Sequence, residues 1–223
     1  MKKGWVSKLD TLVENLRVDT IASTYELGFL EGTIANKVVG EKIYGSFSGH
    51  AADVAIRAVV SKTALYICRT LEGNGDSISV FLDSARERSE FIFEKRKLSR
   101  PDLPDGFIEK SEIEKSLIDL EAALIAVTSQ YPYKWLRVHR DERLGHSMRL
   151  RSGSRRKLLG EELPEDEVTY DQLLELGNET ARLAMEAVRI WTFGLTSPRD
   201  RTRIVRDQTQ KFWELLPVLK DVE

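Results

Sequence analysis

Thr169-Tyr-Asp-Gln-Leu-Leu-Glu-Leu-Gly-Asn-Glu-Thr-Ala-Arg-Leu-Ala-Met-Glu-Ala-Val-Arg-Ile-Trp191 decides the fold class. Within it Tyr170, Leu173, Leu174, Gly177, Thr180, Ala181, Ala184, Val188 and Trp191 recur at helical spacing and share one face for about six turns. Thr169 and Gln172 form a capping box: each side chain can bond the other's backbone N–H and fix the first turn. The small residues Gly177, Ala181 and Ala184 predict that another helix approaches closely. Gly194 closes this helix, and Pro198 opens a last one that runs to about Leu216 with Ile204, Val205, Phe212 and Leu215 inward.

The preceding chain reads the same way. Ile113, Leu117, Leu120, Leu124 and Val127 repeat at steps of four and three, with Ser111 and Glu114 as a second capping box. That helix ends before Tyr131-Pro132, and the next runs from Tyr133 to about Gly145. Residues 7–39 form a helix that Gly28 and Gly32 weaken, so it is two helices or one bent one. Gly40 to Gly49 is a break, in which His50 reads as a turn residue. Helix resumes at about Ala51, with Val54, Ala55, Ala58, Val59, Leu65 and Cys68 on one face, and stops at Glu72-Gly-Asn-Gly-Asp76. A further helix spans 77–98 and ends in a solvated turn, Glu94-Lys-Arg-Lys97. Arg100-Pro-Asp-Leu-Pro-Asp-Gly106 and the stretch from Arg149 to Pro164 are loops. Trp191 and Trp213 read as core. No segment alternates with a period of two, and no repeat interrupts the chain. The expected architecture is one all-α domain over 1–223, with a core at about 7–217 and six or seven helices.

Composition narrows the function classes. At 223 residues the chain can bury a full core, and its 41% hydrophobic and 31% charged residues are those of a soluble protein. The single cysteine, Cys68, cannot form an intrachain disulfide, and no histidine or carboxylate cluster around it predicts a metal. No apolar run reaches the length of a membrane span, and Met1-Lys-Lys-Gly-Trp5 runs into Ser-Lys-Leu-Asp with no signal-peptide core. The expected compartment is the cytoplasm, and no cofactor is expected. No Gly-rich phosphate loop or nucleophile–base pair points to a small-molecule enzyme.

One stretch concentrates reactive groups. Trp135-Leu-Arg-Val-His-Arg-Asp-Glu-Arg-Leu-Gly-His-Ser147 holds two of the three histidines. Arg140 and His146 stand six positions apart. An arginine can grip a phosphate and a histidine can move a proton near neutral pH, which suffices for phosphodiester cleavage without a metal. Twenty arginines and three histidines give about one such pair by chance, so the spacing alone is a weak signal. The bland alternative is a solvated helix face with charges paired four residues apart. His139, Arg143 and His146 lie on one stripe of an ideal helix, whereas Arg140 points about 120° away from His146. Gly145 can loosen the helix and let His146 swing, or a second copy across a twofold axis can complete the site. From Arg137 to Lys157 eight Lys or Arg face two acids, near +6 in a chain of net charge -2. Arg149, Arg151, Arg155, Arg156 and Lys157, in the basic loop at about 149–164, are therefore candidate phosphate contacts.

The core Arg140-Asp-Glu-Arg-Leu-Gly-His146, at the end of an amphipathic helix in an all-α chain, resembles the HEPN superfamily, in its abortive-infection branch of the AbiU type. There the core typically reads Arg-Asp-Lys-x-Leu-Ala-His, so Glu142 replaces a lysine and Gly145 an alanine. The resemblance implies a metal-independent endoribonuclease of a toxin–antitoxin or antiphage system, working as a homodimer that brings two motifs to one cleft. RNA is the implied partner, with a possible cognate antitoxin. Arg140 and His146 would be catalytic, with Asp141, Arg143 and His139 supporting them. The alternative is a non-catalytic helical module that binds RNA or a protein.

Overall fold

A computed structural model describes residues 3–36, 47–99, 109–139, 168–192 and 199–215. Among them the secondary structure is entirely helical: α1 (Lys3–Ile34), α2 (Phe47–Leu71), α3 (Ile78–Arg86), α4 (Ser89–Ser99), α5 (Lys110–Ser129), α6 (Tyr131–His139), α7 (Tyr170–Thr192) and α8 (Arg199–Leu215).

Helix α7 is the axis of the bundle. Its first turn is set by the reciprocal bonds expected of the capping box: the Thr169 N–H donates to Gln172 Oε1 at 3.0 Å, and the Gln172 N–H donates to Thr169 Oγ1 at 3.2 Å. Beyond Leu183 burial extends past one face, because Met185, Ala187 and Ile190 are covered as well as Ala184, Val188 and Trp191. Each large apolar side chain buried here contributes about 1.5–3 kcal/mol. Tyr170 stays exposed, since it sits in the first turn, before the helix enters the core. The predicted close approach is present at Gly177, where a Cβ would lie 2.5 Å from Leu27 Cδ2 of α1. The α5 stripe Ile113, Leu117, Leu120, Leu124 and Val127 is wholly buried against the same core. Its N-cap is Glu109 rather than Ser111, whose hydroxyl donates instead to Glu109 Oε2 at 3.0 Å.

Helix α1 is one continuous helix of 32 residues, not a pair broken at its glycines. Gly28 and Gly32 are where α8 crosses. A Cβ on Gly28 would fall 2.7 Å from the Thr202 carbonyl oxygen, and one on Gly32 2.6 Å from that of Arg206. Glycine's helix penalty of about 1 kcal/mol is offset by a backbone approach that no other residue permits. The α8 face on this seat is Thr202, Thr209 and Trp213; Ile204 and Phe212, expected inward, are about half exposed. Small hydroxyl residues fit the notch, and Trp213 Nε1 donates to Thr33 Oγ1 at 2.9 Å.

Helix α2 starts at Phe47, so Gly49 and His50 belong to its first turn and not to a break. Its inward face is also rotated from the expected one. Val54 and Leu65 are exposed, whereas Ala52, Ile56, Thr63, Ile67 and Leu71 are buried with Cys68. Tyr66 explains part of the rotation, because its hydroxyl reaches across to Thr20 Oγ1 at 3.1 Å. Burial pushes this phenol up to about 12, partly countered by bonds to the Thr20, Ser23 and Thr70 hydroxyls. On α1 the buried Ser23, Thr24 and Thr33 hydroxyls donate to carbonyls three or four residues back, so none is stranded.

The expected helix over 77–98 is two helices. Ser77 caps α3 by accepting from the Val80 N–H at 3.3 Å. Arg88 closes α3, donating its N–H to Ala85 O and its guanidinium to Ser84 O. The charged end of α4 is only partly solvated: Arg96 is buried and donates to Ile190 O, in the last turn of α7, at 3.2 Å. Burial lowers its pKa to about 10, with Arg189 adding to the effect. Next to it Asp10 accepts from both Trp191 Nε1 at 2.7 Å and Lys95 Nζ at 3.0 Å, and Lys95 sits 3.8 Å over the Trp191 ring. Trp191 and Trp213 are core, as their spacing predicts.

Candidate functional site

Helix α6 carries the chain to the motif. It begins two residues before the expected Tyr133, because Pro132 is tolerated in a first turn, where its missing N–H has no partner to lose. Tyr133 and Leu136 are buried, and Val138 is buried on a different side of the helix. Trp135 packs against the core from its edge. A helix covered on two sides in this way has its axis fixed against the core. His139 is its last described residue, so the expected continuation to about Gly145 lies outside the described residues.

Arg140, Asp141, Arg143, His146, Arg149, Arg151, Arg155, Arg156 and Lys157 all lie outside the described residues. His139 is placed only as the last described residue of α6. The chain is described again from Val168, which packs on the core beside the α7 capping box. The candidate segment is thus held at both ends by helices seated in the core.

Two depressions open on the described surface. The one beside α6 measures about 740 Å³ and is lined by Tyr133 and Arg137 of α6, with Glu72, Asp83, Glu121 and Thr128. Arg137 stands 4.0 Å from Glu72, and Arg86 bonds Glu121. Three carboxylates here make poor company for a phosphate backbone. The second is a groove of about 1030 Å³ between α5, α7 and α8. Its α7 wall carries Glu179, Arg182, Glu186 and Arg189. Arg182 is bidentate to Glu179, with contacts of 2.8 and 2.6 Å, and Arg189 to Glu186 at 2.8 and 2.5 Å. The Arg189 guanidinium holds the Glu186 carboxyl below the usual carboxylate range, and Glu179 raises Arg182. Across the groove Arg206 of α8 reaches Glu31 of α1 at 3.1 Å. No group of three His, Cys, Asp or Glu able to hold a metal occurs among the described residues, and no described helix is long and apolar enough to cross a membrane.

Comparison with known families is decisive for kinship. The profile of the HEPN AbiU2 family, described as AbiU2, matches residues 5–210. The chain belongs to this family. The match runs from the first turn of α1 into α8 and spans the Arg140–His146 motif, so this chain is a HEPN module of the abortive-infection type. No curated protein and no solved structure matches it.

What reading the sequence missed in this HEPN chain is the burial of Arg96 and the alternating charges of α7. Arg96 sits in a run of charge that looks solvated, and only α7 ending beside it gives the guanidinium a carbonyl to bond. The alternation was visible in the sequence at spacings of three and four, but its place on a groove wall was not.

Proposed function

We propose that this HEPN module is a metal-independent endoribonuclease with Arg140 and His146 as its reacting pair. One observation carries the reading: the family match covers the whole motif, which follows in sequence on the described part of a helix packed on the core. His146 takes the proton of an RNA 2′-hydroxyl, and the freed oxygen attacks the adjacent phosphorus. The bond to the 5′-oxygen breaks as that oxygen gains a proton. The products are a 2′,3′-cyclic phosphate and a 5′-hydroxyl. A pKa near 6.5 suits histidine to both transfers, each worth about 10² to 10⁴ in rate. Arg140 stabilises the charge that builds on the phosphoryl oxygens. Asp141 orients Arg140, while Arg143 and His139 support the site. Arg149, Arg151, Arg155, Arg156 and Lys157 dock the RNA backbone. The working unit is a homodimer, and a cognate antitoxin is its expected regulator.

The test is cleavage of RNA by purified protein in excess chelator. Wild type cuts; His146→Ala loses activity by about 10² or more with helicity unchanged. Cleavage that survives this substitution, or that stops in chelator, overturns the reading. Glu142, an acid where the family carries lysine, favours a second reading in which the site is inactive and the module only binds RNA. That reading predicts salt-sensitive binding, abolished by neutralising Arg155, Arg156 and Lys157, without turnover.

A further inference from the structure

Helix α2 carries on its outside the kind of stripe that is buried elsewhere in this chain. Ala51, Val54, Ala58, Ser61 and Leu65 follow one another at steps of three and four, the a and d positions of a heptad. Ser61 is half-buried and the other four are exposed. The remaining exposed side chains described on this helix are Arg57, Lys62 and Arg69. Arg57 falls at a g position and Lys62 and Arg69 at e, on the two flanks of the stripe. What the described part of α2 turns to solvent, over about 27 Å, is therefore apolar or cationic and never acidic. Each cation does have an acid beside it: Arg57 reaches Asp53 at 2.8 Å, Lys62 reaches Glu26 at 3.2 Å and Arg69 reaches Asp19 at 2.5 Å. The pairs are neutral in sum but tilted, with the cations 56–76% exposed and the acids only 17–30%. A body approaching from solvent meets the positive ends first. On the α1 side of these pairs Val18 and Tyr25 add further exposed apolar surface.

An apolar stripe of this spacing is covered by another helix, knobs into holes. Ala51, Ala58 and Ser61 are small, so the holes suit large aliphatic knobs. Charges at e and g select the partner, and here all three are positive. The same helix of another copy would set cation against cation. A bilayer draws its affinity from large apolar side chains, of which the α2 stripe has few. RNA needs free phosphate contacts, and each of these cations already holds a carboxylate. We infer that the outer face of α2 docks a helix of a partner protein, one that is leucine-rich along a single stripe and acidic on both flanks. The apolar stripe of that helix covers Val54 and Leu65, and its carboxylates meet Arg57, Lys62 and Arg69 from the solvent side. This surface goes beyond the ribonuclease reading and does not rest on it.

Two synthetic helices probe it, both built from heptads with leucine at a and d. One carries glutamate at every e and g position and the other lysine. Binding to the full chain is followed by fluorescence anisotropy, and the helicity of each variant by circular dichroism. The glutamate helix is expected to bind about tenfold or more tightly than the lysine helix, with a gap that narrows as salt rises. Val54→Glu with Leu65→Glu weakens it by about tenfold or more at unchanged helicity. Arg57→Glu, Lys62→Glu and Arg69→Glu together reverse the preference toward the lysine helix. Equal binding of both helices, binding of neither, or a preference that survives the charge reversal overturns the inference. So does wild-type protein that pellets with phosphatidylserine vesicles when the Val54→Glu, Leu65→Glu variant does not, which makes the face a lipid surface. If that variant instead loses self-association in light scattering, the face belongs to another copy of the chain and the inference fails. None of these readouts uses RNA, so their failure leaves the ribonuclease reading standing, and the loss of that reading leaves this surface standing.

Discussion

Helices α7 and α8 both pack on α1, and they do so with opposite chemistry. Against α7 the seam is apolar apart from the Trp191–Asp10 bond at its end: Leu27 fills the notch at Gly177, and Leu183, Ile190 and Trp191 carry the burial deeper. Against α8 the seam is backbone on backbone at Gly28 and Gly32, lined with Thr202, Thr209 and the Trp213–Thr33 bond. An apolar seam gains by the area it removes from water and tolerates some repacking. A glycine seam gains by proximity and tolerates no added atom. The α2 contact belongs with the second kind, since Tyr66 lands on the Thr20 hydroxyl of α1 as Trp213 lands on that of Thr33.

The contrast can be broken most forcefully in the apolar seam. Trp191→Ala removes a ring that is 1% exposed, bonded to Asp10 and covered by Lys95. A loss of about 3–5 kcal/mol is expected in chemical denaturation. A loss below about 1 kcal/mol would mean that α7 is not the axis of the bundle. Next comes the glycine seam. Gly32→Ala should gain about 1 kcal/mol of helix propensity, yet its methyl meets the Arg206 carbonyl oxygen and Thr209 Cβ at 2.6 and 2.8 Å. A net destabilisation of about 1–3 kcal/mol is expected, with α8 amides losing hydrogen-exchange protection before those of α7. A stabilised variant would show that α8 does not sit on these glycines.

The smallest effect sharpens the polar side of the comparison. Tyr66→Phe removes one buried hydroxyl bond and should cost about 1 kcal/mol at neutral pH. Its pH dependence is more telling. The folded phenol titrates at about 12 against 10.0 when unfolded. Between those values the unfolded chain gives up a proton that the folded chain keeps. The stabilisation is therefore complete below pH 10 and is lost as pH rises toward 12. Denaturation followed from pH 8 upward should show this alkaline fall in wild type and a shallower one in the variant. Equal slopes would remove Tyr66 from the polar seam.

Much of this fold could be read from spacing, and the residues that could not share a cause. The α5 stripe and the α7 face were legible because leucine, isoleucine and valine recur at helical period, and the Thr169–Gln172 cap because its two side chains satisfy each other locally. Gly28 and Gly32 were misleading, since one residue type serves both to weaken a helix and to admit a neighbour. Only the partner, α8, tells which. The inward faces of α2 and α8 were misassigned because threonine and tyrosine turn inward where another helix offers a hydroxyl. Arg96 is buried for the same reason, with the end of α7 as its acceptor. The motif Arg140–His146 was legible as residue chemistry, and the family match encloses it. Of the helix expected from Tyr133 to about Gly145, the described part is α6, which starts earlier because Pro132 was read as a stop instead of a first turn; the rest lies outside the described residues.

The most direct test of the ribonuclease account is cleavage of one RNA alongside the same strand carrying a single 2′-deoxy nucleotide at the mapped cut site, both in excess chelator. The account predicts that the first is cut to a 2′,3′-cyclic phosphate and a 5′-hydroxyl, and that the second stays whole at that position. A cut at the 2′-deoxy position would contradict it, because no 2′-oxygen is there for His146 to activate.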